Sequence, residues 1–394
     1  MMSDYAENTY WISIAHLPRW TIERVNHMVI RVIHESGLRW NEFFELDKKG
    51  LREIFAFSDK ELADLENVKK DLPRIAFIAE QLHNEGFQVI PLNSKDYPAV
   101  LKENLKTKGT PPVIYTFGRT GLLQEDALAI VGSRNAGDAA LSFTDFISKK
   151  AVKDFKVVVS GFAKGVDKQA LDSTLEAHGK SIIVLPQGVL TFQSGFKKYY
   201  EPIVSGDVLV FSTFFPQAGW EVGLAMARNT YIYGLAKEIY VAETDSSGGT
   251  WQGAMDGLTR HRSVYVRVPD VNEKNANLKL IDLGAIPVNA HGLPLEEMRV
   301  RQNTLFNDSE NLTITNEPEA GYDTAERDIE KDILNLLQKD AYTTKEILLA
   351  LRLNWDSRKL TNYLKKNPYV KTIAGKPNKF GLNKTINLSL FNNF

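Results

Sequence analysis

The sequence contains no cysteine. That excludes a disulfide framework, a thiolate metal site and a cysteine nucleophile, and it fits a reducing, cytoplasmic setting. Long apolar runs are also missing: no stretch approaches the ~18 consecutive apolar residues that a membrane span needs. The first residues, MMSDYAENTY, have neither the basic start nor the apolar core of a secretory signal. Seven histidines (His16, His27, His34, His83, His178, His261 and His291) show no metal spacing such as H-E-x-x-H. No metal and no cofactor are therefore expected. Nor is there an excess of one charge, since 48 basic and 49 acidic residues leave a formal net charge of −1. Any surface for nucleic acid must be a local patch. What is present is ordinary for a globular chain of 394 residues, with 43% apolar and 25% charged content. This length accommodates two or three domains.

Three short apolar runs at 128–131, 157–159 and 182–185 alternate with amphipathic segments, and each is followed by Gly, Ser or Pro. That alternation predicts parallel strands joined by crossover helices. Extended along the chain, it gives strands at 127–131, 156–160, 181–185, 207–212, 238–243 and 263–268. Helices are predicted at 141–152, 166–178, about 195–204, 220–228 and 251–259, with 280–288 closing the sheet. Ahead of this core, residues 1–90 carry apolar residues at helical spacing (Trp11, Ile14, Leu17, then Val25, Met28, Val29, Val32) and read as a bundle of short helices. Two Pro-punctuated β-rich stretches between 87 and 118 read as a leading strand and an edge element. Residues 291–322 are polar and read as a linker; 323–384 return to helical spacing and end in a turn at Gly375 to Asn378, the outline of a winged helix, before a tail at 385–394.

The small-residue turns fall where an open parallel sheet gathers its ligands. The first, Gly132-Ser133-Arg134-Asn135-Ala136-Gly137, is not the dinucleotide fingerprint and lacks the Lys-Ser/Thr of a nucleotide P-loop. It is a tight turn at a helix entrance with an arginine fork suited to phosphate. The second turn, Ser160-Gly161-Phe162-Ala163-Lys164-Gly165, brings a lysine between glycines that could admit a phosphate, and Asp167 can cap the next helix. A third, Ser247-Gly248-Gly249-Thr250, follows the strand at 238–243, and Arg228-Asn229 precede it on a helix. Together these predict an anion-binding rim. Glu238, Glu243 and Asp245 have no partner placed by sequence, so no catalytic constellation emerges and an enzyme is not expected. Between 343 and 384 there are ten basic residues against two acidic ones. That patch predicts phosphate-backbone contacts by Arg358, Lys359, Lys365, Lys366, Lys376 and Lys379.

Several motifs recur in a known order: YPAVL at Tyr97, PPVIYTFG at Pro111, IVGSR at Ile130, VSGFAKGVD at Val159, Arg228-Asn229, SGGT at Ser247 and LIDLGAIPV at Leu280. On these the chain resembles the DprA/Smf family of bacterial DNA-processing proteins over nearly its whole length. The resemblance implies an α/β fold: an extended Rossmann-like, doubly wound core at 91–290, with a small helical (SAM-like) N-terminal domain and a C-terminal winged helix. It implies single-stranded DNA as partner, a homodimer, and loading of a RecA-type recombinase onto DNA carrying single-strand-binding protein. Arg134, Ser160, Gly161, Lys164 and Arg228 take the family's DNA-contacting places. The chain departs from the family at Leu171, Thr213 and Thr230, and in the segment 190–195, and so resembles a divergent member. Two alternatives remain at this stage: a phosphoribohydrolase-like nucleotide enzyme, and a nucleotide-sensing or defence regulator with a DNA-binding tail. Phe162 reads equally as a base-stacking or a core residue.

Overall fold

A computed structural model describes residues 4–295 and 329–383, apart from 352, 354, 368 and 376. Most of the expected linker (296–322) and the tail (385–394) lie outside these residues, as does Lys376.

The Val/Ile/Leu/Ala runs form strands that are mostly buried on both faces, as parallel strands covered by helices require. These strands are β3 (Ala127–Val131), β4 (Val157–Ser160), β5 (Ser181–Val184), β6 (Val208–Ser212), β7 (Glu238–Val241), β8 (Ser263–Arg267) and β9 (Ile286–Val288). Before them, β1 (Gln88–Pro91) and β2 (Val113–Phe117) form an antiparallel pair on the β6 edge. The nine strands lie in the order β1-β2-β6-β5-β4-β3-β7-β8-β9, and every pair from β6 to β9 is parallel. From β3 the chain winds one way through β4, β5 and β6, then returns to build β7, β8 and β9 on the other side. The winding direction therefore reverses between β3 and β7. The sheet is the Rossmann-like, doubly wound core expected.

Alternate residues of β3 face opposite layers. Leu128 and Ile130 pack with Phe143 and Ile147 of α7 (Asp138–Lys153) and Val166 and Ala170 of α8 (Val166–Glu176). Ala129 and Val131 share a cluster with Ile232 of α10 (Val222–Leu235) and Trp251 of α11 (Gly249–Thr259). The remaining core helices are α6 (Ala99–Gly109), α9 (Gln193–Ser205) and α12 (Asn277–Asp282). The stretch expected as one closing strand at 280–288 is split instead. Its first half is helical in α12, Gly284 turns the chain at φ 103°, and only Ile286–Val288 pairs with β8.

The N-terminal helices are α1 (Asp4–Ala15), α2 (Ile22–Val29, prolonged by a wider π-helical turn), α3 (Trp40–Glu45), α4 (Lys48–Phe55) and α5 (Asp59–Asn84). They do not stand apart as a separate core. Trp11, Trp40 and Ile78 belong to one apolar cluster with Tyr115, Ile183 and Val210 of the sheet. Not all are short: α5 has 26 residues and runs through Pro73. Its start is fixed by a capping box in which Ser58 and Glu61 bond each other's backbone N–H.

At the C-terminal end, α13 (Ile329–Lys339), α14 (Thr344–Ala350) and α15 (Ser357–Lys366) accompany a three-stranded antiparallel sheet. Its order is β10 (Tyr342–Thr343), β12 (Lys379–Leu382), β11 (Val370–Ile373). Among the described residues, no helix is long and apolar enough to cross a membrane.

Candidate nucleic-acid interface

Where the winding reverses, the carboxyl ends of β3 and β7 leave a crevice of about 350 Å³. This is the ligand position of open α/β sheets. One wall is the turn after β3 (Gly132, Ser133, Arg134) and another the first turn of α11 (Ser247, Gly248, Gly249, Thr250). Arg228 and Asn229 of α10 close the base. The walls are bonded to each other: Thr250 Oγ1 donates to the Gly132 carbonyl at 3.1 Å, and Ser133 N donates to the Glu243 carbonyl at 2.9 Å. Gly248, at φ 90°, occupies backbone space that favours glycine. Among the described residues no side chain caps α11, so its first N–H groups face the crevice with their partial positive charge free for an anion.

Arg228 is only 4% exposed. Its Nη1 donates to the Val184 carbonyl at 3.2 Å and lies 3.8 Å from Asp167 Oδ2. Nε is buried with no partner among the described residues, at the edge of the crevice. Burial holds the guanidinium below the usual arginine range, with Asp167 opposing the shift. Burial likewise raises Asp167, against the pull of Arg228. Arg134, exposed on the rim, is near enough to influence both groups. Three cationic or amide side chains (Arg134, Arg228, Asn229) thus meet an uncapped helix start, with Asp167 as the internal counter-charge.

Two glycines do something other than admit a ligand. A Cβ on Gly161 would fall inside the Arg228 guanidinium, and one on Gly249 would overlap Asn229 Nδ2. The space that the sequence reading gave to an approaching phosphate at Gly161 is filled by the arginine itself. Gly132 similarly makes room for Val166. Gly165 takes φ 75° with its Cβ position against the Ser133 and Arg134 backbone, so it locks the second turn onto the first.

Nine of the thirteen rim residues expected from sequence line the crevice: Gly132, Ser133, Arg134, Arg228, Asn229, Ser247, Gly248, Gly249 and Thr250. Ser160, Gly161, Lys164 and Gly165 do not. Ser160 is buried and its hydroxyl donates to the Ile130 carbonyl at 3.1 Å, so it ties β4 to β3. Lys164 is exposed and stands outside the crevice. Phe162 is half-buried and packs edge-on against Phe192 and Tyr199, with centroids at 5.1 and 5.5 Å, on the side of the N-terminal apolar cluster. Sequence reasoning missed Asp167 as the partner of Arg228, and Trp220 and Met226 on the crevice wall. The only signal for Trp220 was an aromatic set between glycines, in AGWEVG.

Among the described residues, the carboxylates lining the crevice are Asp167 and Asp245, and Glu238 and Glu243 stand outside it. Glu238 pairs with Lys156 at the opposite end of the strand, at 2.9 Å, and Glu243 accepts from Gly137 N at the start of α7. A phosphoribohydrolase loop would want a glutamate three residues after Thr250. That position is Gly253, where any Cβ would overlap the Tyr233 ring. On the C-terminal unit, Asp356 caps α15 by accepting from Arg358 N and Lys359 N, both at 2.8 Å. Arg358, Lys359, Lys365 and Lys366 are exposed on α15, while Lys379 is half-buried on β12.

A family model described as DNA recombination-mediator protein A matches residues 88–298. Protein Smf of Synechocystis sp. is 26% identical over 288 residues, covering 71% of this chain and 70% of that protein. The DNA processing protein DprA of Bacillus subtilis is 22% identical over 268 residues, covering 67% of this chain and 89% of that one. Among solved structures, that of DNA processing protein A from Streptococcus pneumoniae superposes with a TM-score of 0.54 at 21% identity, over 73% of this chain and 95% of that one. The structural likeness concerns the fold.

Proposed function

The chain belongs to the DNA recombination-mediator protein A family, and from that premise we propose that it binds single-stranded DNA without catalysing its cleavage. The strand's phosphates are held at the β3/β7 crevice, and the bound strand is handed to a RecA-type recombinase, with single-strand-binding protein displaced in the exchange. A homodimer is part of this reading. The observation that carries it is the convergence of Arg134, buried Arg228 and the uncapped start of α11 on one crevice. Such a site supplies phosphate contacts without base readout, so binding is nearly sequence-neutral and weakens steeply with salt.

In the same proposal, residues 1–90 are a SAM-like helical domain, 91–290 the DNA-binding core and 323–384 a winged helix. The exposed basic side chains of α15 add auxiliary backbone contacts. The test compares the whole chain with a variant in which Arg358, Lys359, Lys365 and Lys366 are all alanine. Both are titrated with an unstructured oligonucleotide and with its duplex. The variant is expected to keep most of its single-strand affinity and its preference for single strands over duplex. Loss of single-strand binding in the variant would make the tail the reader and overturn the assignment to the crevice.

A further inference from the structure

Half of the crevice is not built for phosphate. Beside the anion-binding groups, its wall carries Trp220, Val222 and Met226, which are 53%, 67% and 42% exposed. Isolated exposed apolar residues are ordinary, but three on one wall of one polar crevice are not. Cβ positions at Gly219 and Gly223, on either side of Trp220, have no heavy atom within 4 Å. Met226 ties this apolar wall to the anion site, since its Sδ lies 3.4 Å from the Cβ position of Gly249, at the start of α11. The polar and apolar halves are therefore adjacent parts of one cavity, and its volume of about 350 Å³ is on the scale of small-ligand sites.

A ligand that needs an anion site and a flat apolar site side by side is a nucleotide with its base unpaired. We propose that Trp220 is a stacking platform for one unpaired base of the bound strand, with Met226 completing the contact and the adjoining phosphate at Arg134 and the start of α11. This rests on the strand-binding reading above and adds to it a specific requirement for an aromatic base. A duplex, whose bases are stacked and paired, cannot occupy the platform without opening. Every base has a π-face, so the contact adds affinity without adding sequence preference.

The experiment uses the full chain and two oligonucleotides of equal length and charge, one of thymidines and one of abasic tetrahydrofuran residues. Wild type is expected to bind the thymidine strand about tenfold more tightly than the abasic one, within the range of base–aromatic stacking. Trp220→Ala is expected to remove that difference while leaving abasic binding unchanged, and Trp220→Phe to keep most of it. Equal weakening of both strands by Trp220→Ala, or a change in the protein's oligomeric mass, would mean a structural or subunit-contact role and would overturn the proposal. So would an unchanged thymidine preference. Arg134→Ala on the abasic strand separates the two claims: no loss there sinks the phosphate-binding reading, whatever Trp220 does.

Discussion

Arg228 and Asp167 form a charged pair in the floor of the crevice, and their mutual dependence sets the behaviour of both. Removing one partner of such a pair leaves an uncompensated buried charge and costs about 3–5 kcal/mol. Arg228→Ala should therefore destabilise the fold by roughly that amount near pH 8. Burial already lifts Asp167 above its ordinary value, and losing Arg228 removes a charge that holds it down. A carboxyl whose folded-state pKa exceeds the unfolded one costs stability while it is charged, and that cost is relieved as pH falls through the folded value. The deficit of Arg228→Ala relative to wild type should accordingly shrink between pH 8 and pH 5. Urea unfolding at both pH values checks this; a constant deficit would contradict it. From the sequence, Arg134 and the glycines were expected in turns after strands, and Arg228 on a helix ahead of the third turn. The sequence could not show that Gly161 exists to seat Arg228, because that contact joins β4 to α10 through space rather than along the chain. A glycine that receives a ligand and a glycine that receives a neighbouring side chain look the same in one dimension.

At the level of elements, His16, just after α1, is one of the contacts that join the N-terminal helices to the sheet. Its ring stacks on Tyr115 of β2 with centroids 6.0 Å apart, meets Phe215 edge-on at 5.4 Å, and bonds the Tyr115 hydroxyl at 2.9 Å. Burial pulls its pKa down to about 4 from an ordinary 6.5. A lowered histidine contributes stability that is present above pH 6.5 and lost as pH falls toward 4. The loss amounts to about 2–3 kcal/mol. His16→Phe keeps the aromatic contact but cannot protonate, so its stability should fall less than that of wild type over this pH window. Parallel pH–stability curves for the two proteins would contradict the assignment. The strands were legible because double-sided burial leaves an almost uninterrupted apolar run, which β3 to β6 display. The first half of α5 was not. DKELADLENVKKDLPR looks polar and holds Pro73, yet Leu62 and Leu65 are enough to seat it in the N-terminal cluster. Proline in a helix interior costs ~3 kcal/mol; the capping box and the packing of α5 on α1 outweigh it here.

Across the whole molecule, apolar packing and polar contacts span the boundaries drawn from composition. The helices of the first 90 residues share an apolar cluster with the sheet. The C-terminal unit meets α12 through Lys279, which is 8% exposed. Its Nζ donates to Asp340 Oδ2 at 2.9 Å and to the Ala341 carbonyl at 3.0 Å, and lies 4.6 Å from the Tyr342 ring centroid. Composition marks where polarity changes, whereas these joints are made by a few apolar faces and one buried lysine. With a formal net charge of −1 over 394 residues, the chain as a whole offers no general attraction for DNA. Affinity must come from local sites, and the central claim is that the β3/β7 crevice is the principal one. The most direct test is the salt dependence of binding to an unstructured single strand, measured for wild type, Arg134→Ala and Lys164→Ala. Log affinity should fall linearly with log salt for all three, with a slope of about −0.7 for each phosphate neutralised on a single strand. Arg134→Ala should bind more weakly at low salt and lose about one such increment of slope, while Lys164→Ala, outside the crevice, stays closer to wild type. An Arg134→Ala line that superposes on the wild-type line would contradict the account.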